Sequence, residues 1–293
     1  MANTFNTGVH KEDWAVALQK RLNKPANWEE VADVVYSDNY IVNNPYMSTE
    51  FSAQTGTRGT AYGFSDFALT NDALTISTKR LVPVFIDRAD LAQISYLTQM
   101  EISTRQAALL KDVIETAMLA DHAAWTNVGD TAGVITSGVA TTITVSSTNI
   151  DDIVRGVRRI AIVANGLDLM NEKGLFFIWR PADLEKLEQF AQANGFNLAD
   201  MALEKGIPAK GFYYLGAYHY VSNSHTANHV FAGIRKIFKI GILRTTWGQI
   251  VVTQDPPDGN GPRSGEGIIA RADYGVLSPA GLTTVLYDVN VAS

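Results

Sequence analysis

The sequence predicts an α+β fold from two observations. Residues 87–125 contain no proline and no glycine, and their apolar residues recur at spacings of three and four, a pattern typical of one long amphipathic helix. The C-terminal half is crowded with short runs of β-branched and aromatic residues, which predict strands, and it also carries shorter helical patterns. Strands and helices in such an irregular order indicate mixed layers and not an all-helical or all-strand domain.

The composition describes an ordered chain with a sizeable core. Of 293 residues, 46% are hydrophobic and 10% aromatic, and none is cysteine, which excludes disulfides and thiolate chemistry. The N-terminus predicts no secretory signal, and the longest uncharged run, residues 131–150, is too rich in serine and threonine for a membrane span. The chain has 24 basic and 30 acidic residues and a net charge of −6. It therefore lacks the excess of basic residues expected of a protein that binds nucleic acid mainly through the phosphates.

Residues 1–45 are predicted to form an arm. Trp14, Leu18 and Leu22 follow one another at steps of four and give one short amphipathic helix, which Pro25 ends. The apolar face of such a short helix needs a partner surface.

Residues 46–88 begin rich in glycine, serine and threonine and then predict strands. Alternation from Leu74 to Val82 indicates a strand, Asn71-Asp72 is a predicted turn, and Pro83 favours an edge position. Because a hairpin with few large apolar residues is only marginally stable alone, this segment must pack on its own domain or on a neighbour.

The long helix would measure roughly 54 Å if about 36 residues were helical. A break near Ser103 into two shorter helices is the alternative. The charged residues predicted to lie mostly on its polar side are Glu101, Arg105, Lys111, Glu115 and Asp121.

Strands are predicted within residues 134–145. A helix capped by Thr148 or Asn149 then ends at Asn165-Gly166, and a buried strand, GLFFIWR, precedes a helix that Pro181 opens and Gly195 ends. The remaining strands are predicted in GFYYLGAYHYVS, HVFAGI, GQIVVTQ, GIIARADYGV and TTVLYDVNV.

No reactive set emerges from the sequence. His219, His225 and His229 lie close together, but turn-forming residues surround the last two and no carboxylate lies nearby, so no metal is expected. The loop at residues 255–267 has proline and glycine where a calcium loop needs oxygen ligands. We therefore expect no catalytic residue, no cofactor and no enzymatic activity.

The order of these elements resembles the major capsid proteins of tailed bacteriophages, the Hong Kong 97-like fold. The residues that carry the likeness are LVPVFIDRADLAQ, TAMLADHAAWTNVGD, FFIWRPADLEKLEQFAQANGFN and GIIARADYGVLSPAGLTTVLYDVN. The resemblance implies an N-terminal arm (1–45), an extended β-hairpin loop (46–88), and a peripheral domain (89–148 and 244–277) with a spine helix at 89–125. It implies an axial domain at residues 149–243 and 278–293.

The resemblance also implies a role. The chain would be a structural subunit of an icosahedral head and would form hexamers and pentamers around double-stranded DNA. The virion would be assembled in the bacterial cytoplasm. Scaffold, portal and decoration proteins are further candidate partners, and no membrane is expected. Assembly contacts are expected from Trp14, Leu18, Leu22, Arg58, Lys79 and Arg80. Some family members link subunits through an isopeptide bond, but the position of the assisting glutamate is Ile269 here, so no link through Lys79 is expected.

Two alternatives stay open at this stage. The same fold could serve an encapsulin-type cellular shell around an enzyme cargo, or the chain could be an α+β metal-dependent hydrolase that uses the histidine cluster.

Overall fold

The computed structural model describes residues 26–48, 53–59, 63–64, 66–88, 96–193, 212–225, 228–258, 261–262 and 264–292. The helices of these residues are α1 (Trp28–Val31), α2 (Tyr96–Ala120), α3 (Ile150–Val163), α4 (Leu167–Lys173) and α5 (Pro181–Ala193). The strands are β1 (Asp33–Ser37), β2 (Ile41–Met47), β3 (Leu69–Thr75), β4 (Thr78–Asp87), β5 (Thr126–Thr131), β6 (Val134–Ser137), β7 (Ile143–Thr144), β8 (Leu175–Trp179), β9 (Phe212–Tyr214), β10 (Ala217–Val221), β11 (His229–Ile234), β12 (Lys239–Leu243), β13 (Gln249–Gln254), β14 (Pro257–Asp258), β15 (Gly261–Pro262), β16 (Gly265–Leu277) and β17 (Leu286–Ala292). Short 3₁₀ turns cover Asp121–Ala124 and Ala280–Val285.

The first sheet is built around the long strand β16. In the described residues it has five strands: β1 pairs in parallel with β12, and β12, β13 and β4 all pair antiparallel with β16. β13 and β4 pair with the same residues of β16 and therefore flank it on opposite sides. Because β4 has no other partner among the described strands, it is an edge strand, which confirms the position predicted from Pro83.

Helix α2 lies across this sheet. The Gln106 side chain is buried and its Nε2 donates to the carbonyl oxygens of Val82 on β4 at 2.8 Å and Ile268 on β16 at 2.9 Å. Leu110 packs nearby on Ala270 and Ala272. One buried amide thus ties the helix to two strands at once, where an apolar side chain could supply only packing.

The second sheet holds most of the core. It has eight strands in the described residues, ordered β6-β5-β17-β11-β8-β10-β9, with β7 paired to β17. All five residues of β8 are buried, which confirms the strand predicted from GLFFIWR. α3 packs on this sheet, where Gly156 allows Ile135 to approach so closely that an added β-carbon would lie 2.8 Å from its Cβ.

Residues 28–37, which the resemblance assigned to the arm, pack on the body in the structure. Trp28 and Val31 are almost completely buried, Trp28 Nε1 donates to the carbonyl of Lys111 at 3.1 Å, and β1 completes one side of the first sheet. Trp28 and Val31 are therefore part of the core of the body. Residues 1–25, with Trp14, Leu18 and Leu22, lie outside the described residues.

The predicted extended loop has different limits in the structure. β2 and β3 form an antiparallel ladder from Ile41 paired with Thr75 to Met47 paired with Leu69, so the hairpin begins before residue 46. The predicted Asn71-Asp72 turn is wrong, because both residues pair across this ladder. β4 was assigned to the loop but belongs to the first sheet along its whole length.

α2 runs unbroken through Ser103, so the two-helix alternative is wrong for the described part. It has 25 residues, and residues 89–95 lie outside the described range. Glu115 was expected on the polar face but is buried, where its carboxylate accepts from Ser222 Oγ and from the Asn27 amide at 2.9 Å. Among the described residues, no helix is long and apolar enough to cross a membrane.

The two sheets also divide the chain differently from the predicted domain limits. β5, β6 and β7 belong to the second sheet, although residues up to 148 were assigned with the long helix. β12 belongs to the first sheet, although residues up to 243 were assigned to the other domain. Strand pairing decides these memberships, and a pairing between distant strands leaves no local signal in the sequence.

Candidate assembly surface

The hairpin of β2 and β3 is anchored at its base by close packing. Leu74 and Ile76 are buried, and they press on a pair of glycines, Gly241 of β12 and Gly275 of β16, which face each other in the ladder. A β-carbon on Gly275 would lie 2.8 Å from the carbonyl carbon of Thr75 and nearer still to its oxygen. The two glycines therefore create the groove in which the end of β3 sits.

Polar contacts hold the next part of the hairpin. The Ala280 amide donates to Asp72 Oδ2 at 2.8 Å, and Lys239 Nζ donates to Asn44 Oδ1 at 2.6 Å. A β-carbon on Gly281 would lie 3.1 Å from the Tyr46 ring, so this backbone also lies close to the hairpin. Beyond Tyr46 the ladder ends at the pair Met47 and Leu69, and residues 48–68 connect the two strands.

That distal part of the hairpin exposes large apolar side chains. Phe64 is 91% exposed, Phe67 64%, Leu69 65% and Met47 52%. Exposed apolar side chains grouped on one element are typical of surfaces that take part in interactions. We call these four residues the hairpin tip.

Exposed apolar side chains also lie on two strands of the first sheet. Ile250, Val251 and Val252 of β13 and Leu81 of β4 are all exposed, and the two strands lie on opposite sides of β16. An exposed apolar strand offers unpaired backbone groups as well as side chains to a neighbour.

The charged residues expected to make assembly contacts are exposed but not together. Arg58 lies in a turn of the segment that the hairpin encloses, whereas Lys79 and Arg80 lie on β4 in the first sheet. Lys79 pairs in register with Asp273, and Ile269 pairs with Pro83. The assembly role of these side chains stays a prediction.

Of the three histidines that lie close together in the sequence, His219 packs among other aromatic rings, whereas His225 and His229 both stack on the ring of Phe231. His219 is completely buried between Phe177 and Phe212, and burial lowers its pKa to about 4. His225 stacks on Phe231 with its Nε2 at 3.1 Å from the carbonyl oxygen of Ile178. His229 instead meets two residues that were not considered with it, His122 and Asp288.

Sequence reasoning missed this last group because its members are far apart in the chain. His229 Nδ1 lies 2.7 Å from Asp288 Oδ1, and His122 Nδ1 lies 2.9 Å from Asp288 Oδ2. Asp288 follows these histidines by 59 and 166 residues. No periodicity or motif connects positions at such separations.

A cleft of about 270 Å³ lies between Asn44, Pro45 and Tyr46 of β2 and the body. Its charged walls are Asp33, Lys173, Lys236 and Lys239. Lys236 Nζ donates to the carbonyls of Glu29 and Ala32, and burial lowers its pKa. Since Lys239 is bonded to Asn44, these side chains mainly hold the hairpin and the N-terminal segment in place.

Solved structures that are similar to this chain include structures from phages and a GTA particle. The chain is similar to a structure from Mycobacterium phage Che8, with 15% identity, a TM-score of 0.67 and 98% of each chain covered. It is also similar to the capsid structure of cyanophage P-SCSP1u, with 15% identity, a TM-score of 0.60 and coverage of 100% of this chain and 97% of that one. The capsid of an empty GTA particle gives 13% identity, a TM-score of 0.63 and coverage of 97% and 96%.

These likenesses extend over nearly the whole chain and establish its fold. The fold is the Hong Kong 97-like capsid fold that the sequence resembles. No protein-family model and no curated protein sequence matches the chain.

Proposed function

We propose that this protein is the structural subunit of an icosahedral bacteriophage head, which self-assembles into pentamers and hexamers that enclose packaged double-stranded DNA. The observation that carries the proposal is a likeness to phage and GTA capsid structures that covers at least 97% of the chain. These relatives favour the head subunit over the encapsulin-type shell and over the hydrolase.

The domain names of the fold follow from the sheets. We assign the first sheet with α2 to the peripheral domain and the second sheet with α3 and α5 to the axial domain, at which subunits meet around five-fold and six-fold centres. Residues before α1 are the arm, and the β2–β3 hairpin with the residues between its strands is the extended loop. In this proposed division β5 to β7 belong to the axial domain and β12 to the peripheral domain, which differs from the limits that the resemblance implied.

The hairpin supplies the physical reason for assembly. Its base is packed and hydrogen-bonded to the body, so the element is held in a defined direction. Its tip exposes Phe64 and Phe67. Complete burial of either side chain on another copy of the chain would contribute roughly 1.5–3 kcal/mol to the free energy of association. Many such contacts around closed symmetry give a stable shell even when each contact is weak.

The remaining partners follow from the same role. The head is part of the virion, is assembled in the host cytoplasm, and encloses DNA without reading its sequence. Scaffold, portal and decoration proteins are partners of such a head in general. The net charge of −6 suits an inner wall that does not hold packaged DNA tightly.

Electron microscopy of the overexpressed full-length protein tests the proposal. Shells, tubes or separate pentamers and hexamers are the expected products. A strict monomer at concentrations well above micromolar, with correct folding verified by circular dichroism, would contradict it. Denaturing electrophoresis of assembled particles should show single subunits, since Ile269 occupies the position of the assisting glutamate. A ladder of linked subunits would refute that part.

A further inference from the structure

Two histidines and one aspartate from three separate elements converge at the end of α2. His122 lies in the 3₁₀ turn after this helix, His229 begins β11, and Asp288 lies in β17. Each carboxylate oxygen of Asp288 faces the Nδ1 of one imidazole, and the ligand atoms of all three side chains lie within 4.8 Å of one another. We propose that His122, His229 and Asp288 form a binding site for a divalent transition-metal ion such as Zn²⁺.

The charge balance at Asp288 favours a cation. Its side chain is 4% exposed, and no lysine or arginine among the described residues forms an ion pair with it. Its hydrogen bonds within the described part of the chain go to His122 and His229. A buried carboxylate must be compensated, and a neutral imidazole does so only through a hydrogen bond, whereas a bound metal ion brings two positive charges.

The donor set selects the class of metal. Two imidazole nitrogens and one carboxylate oxygen suit zinc and its neighbours in the first transition series, whereas magnesium and calcium prefer oxygen ligands alone. The Nδ1 atom of a neutral imidazole either donates to the carboxylate or, in its other tautomer, offers a lone pair to a cation. The proposed site therefore requires a tautomer change at each histidine and no new residue.

The three ligand atoms, which all lie within 4.8 Å of one another, must shift to form a coordination shell. Zinc ligands at about 2.0–2.2 Å in a tetrahedron lie roughly 3.3 Å apart, compared with the 2.7 Å and 2.9 Å between the nitrogen and oxygen atoms here. The side chains of His122 and His229 are 23% and 21% exposed, so both can shift and water can complete the shell.

The surroundings restrict the site on its inner side. The ring of Phe231 stacks on His229 at 6.0 Å between centroids and lies 5.3 Å from the ring of His122. An apolar wall on one side and solvent on the other is suited to a metal that enters from the surface and orients both imidazoles. Bound there, the metal would join the end of α2 to two strands of the second sheet.

Asparagine variants distinguish a metal-binding site from three side chains that are only hydrogen-bonded to one another. In His122→Asn and His229→Asn the side-chain amide keeps a donor near the position of Nδ1 but is a poor ligand for zinc. His225→Asn is the matched control, because His225 lies on the same Phe231 ring with its Nε2 directed at the Ile178 carbonyl.

The experiment is a zinc titration by calorimetry of the full-length protein after treatment with a chelator. We expect about one zinc ion per chain, an affinity at least roughly tenfold weaker in His122→Asn and in His229→Asn, and unchanged binding in His225→Asn. Zinc binding by both site variants as tight as that of the unmodified protein, or loss of binding in His225→Asn alone, would overturn the proposal.

A second measurement requires no variant. The melting temperature of the unmodified protein should rise with added Zn²⁺ and stay constant with the same concentration of Mg²⁺, because only a ligand that binds the folded chain stabilises it. Absence of a zinc-specific rise, together with absence of saturable binding, would refute the site whatever the fate of the variants.

Discussion

At the scale of single residues, His219 is a histidine that the fold keeps neutral. Trp179 Nε1 donates to its Nδ1 at 2.9 Å, so its Nε2 carries the proton and donates to the Tyr214 carbonyl at 3.0 Å. Both nitrogens are satisfied in that tautomer, and a second proton would have no acceptor. Burial lowers the pKa of His219 from 6.5 to about 4.

This pKa predicts a loss of stability in acid. Between pH 6.5 and about pH 4 the unfolded chain binds a proton at His219 that the folded chain excludes, so the free energy of unfolding falls as the pH is lowered through that window. The full difference is roughly 3 kcal/mol. Urea unfolding of the protein and of His219→Gln at pH 7 and pH 4 measures it: the unmodified chain should lose more stability than the variant by that amount. Equal losses would mean that His219 is protonated in the fold.

Gly275 predicts a steric effect at the hairpin base. A β-carbon there would collide with the backbone of Thr75, which cannot rotate away as a side chain can, so Gly275→Ala should lower the free energy of unfolding by about 3 kcal/mol. Gly56→Ala is the control, since no atom lies within 4 Å of a β-carbon at Gly56, and it should change stability by less than about 0.5 kcal/mol. Denaturant unfolding compares the two, and equal stabilities would exclude the close approach.

At the scale of elements, the β2–β3 hairpin combines a buried base with an exposed tip. The base contributes Leu74 and Ile76 to the core of its own subunit, whereas the aromatic rings of the tip face solvent. Substitution at the two ends should therefore have different consequences, for the fold at the base and for association at the tip.

We expect Phe64→Ser combined with Phe67→Ser to reduce the yield of assembled particles at least tenfold. The melting temperature of the unassembled subunit should change by no more than about 2 °C, because both side chains are exposed in it. Light scattering and electron microscopy at matched protein concentration measure assembly. Val163→Ser, which removes an exposed apolar side chain from the end of α3, is the control, and normal assembly of the double variant would argue against a role for the tip.

At the scale of the whole molecule, the acidic balance predicts weak binding to DNA. With a net charge of −6, the free subunit should bind a short labelled duplex with a dissociation constant above about 1 μM at physiological salt. Fluorescence anisotropy measures this, and the affinity should rise when the salt is lowered, since the remaining attraction is to phosphates. Micromolar or tighter binding at physiological salt would show a basic surface that the overall charge conceals.

Features that depend on neighbouring residues were largely predictable. The buried run in β8, the opening of α5 at Pro181 and the edge position of Pro83 follow from residue type and from the backbone limits of proline. The helical pattern of residues 87–125 likewise predicted α2 through Ser103. These signals are local, because a helix or a strand presents its periodicity over a few turns or residues.

Features that depend on distant partners were not predictable in this way. The sequence predicts Glu115 on the surface, but Ser222 and the backbone amide of Asn27 hydrogen-bond to its buried carboxylate. It predicts a turn at Asn71-Asp72, but both residues pair with β2. The zinc site proposed above needs Asp288 beside His122, which lies 166 residues earlier.

By itself the sequence determined an α+β chain with one long helix, a neutral-to-acidic surface and a family resemblance carried by the order of its elements. Only the tertiary structure decided which strands share a sheet, where the hairpin leaves the body and which charged side chains are buried. The physical reason is that helical and strand propensities act between near neighbours, whereas pairing, burial and charge compensation are set by contacts that form only when the whole chain has folded.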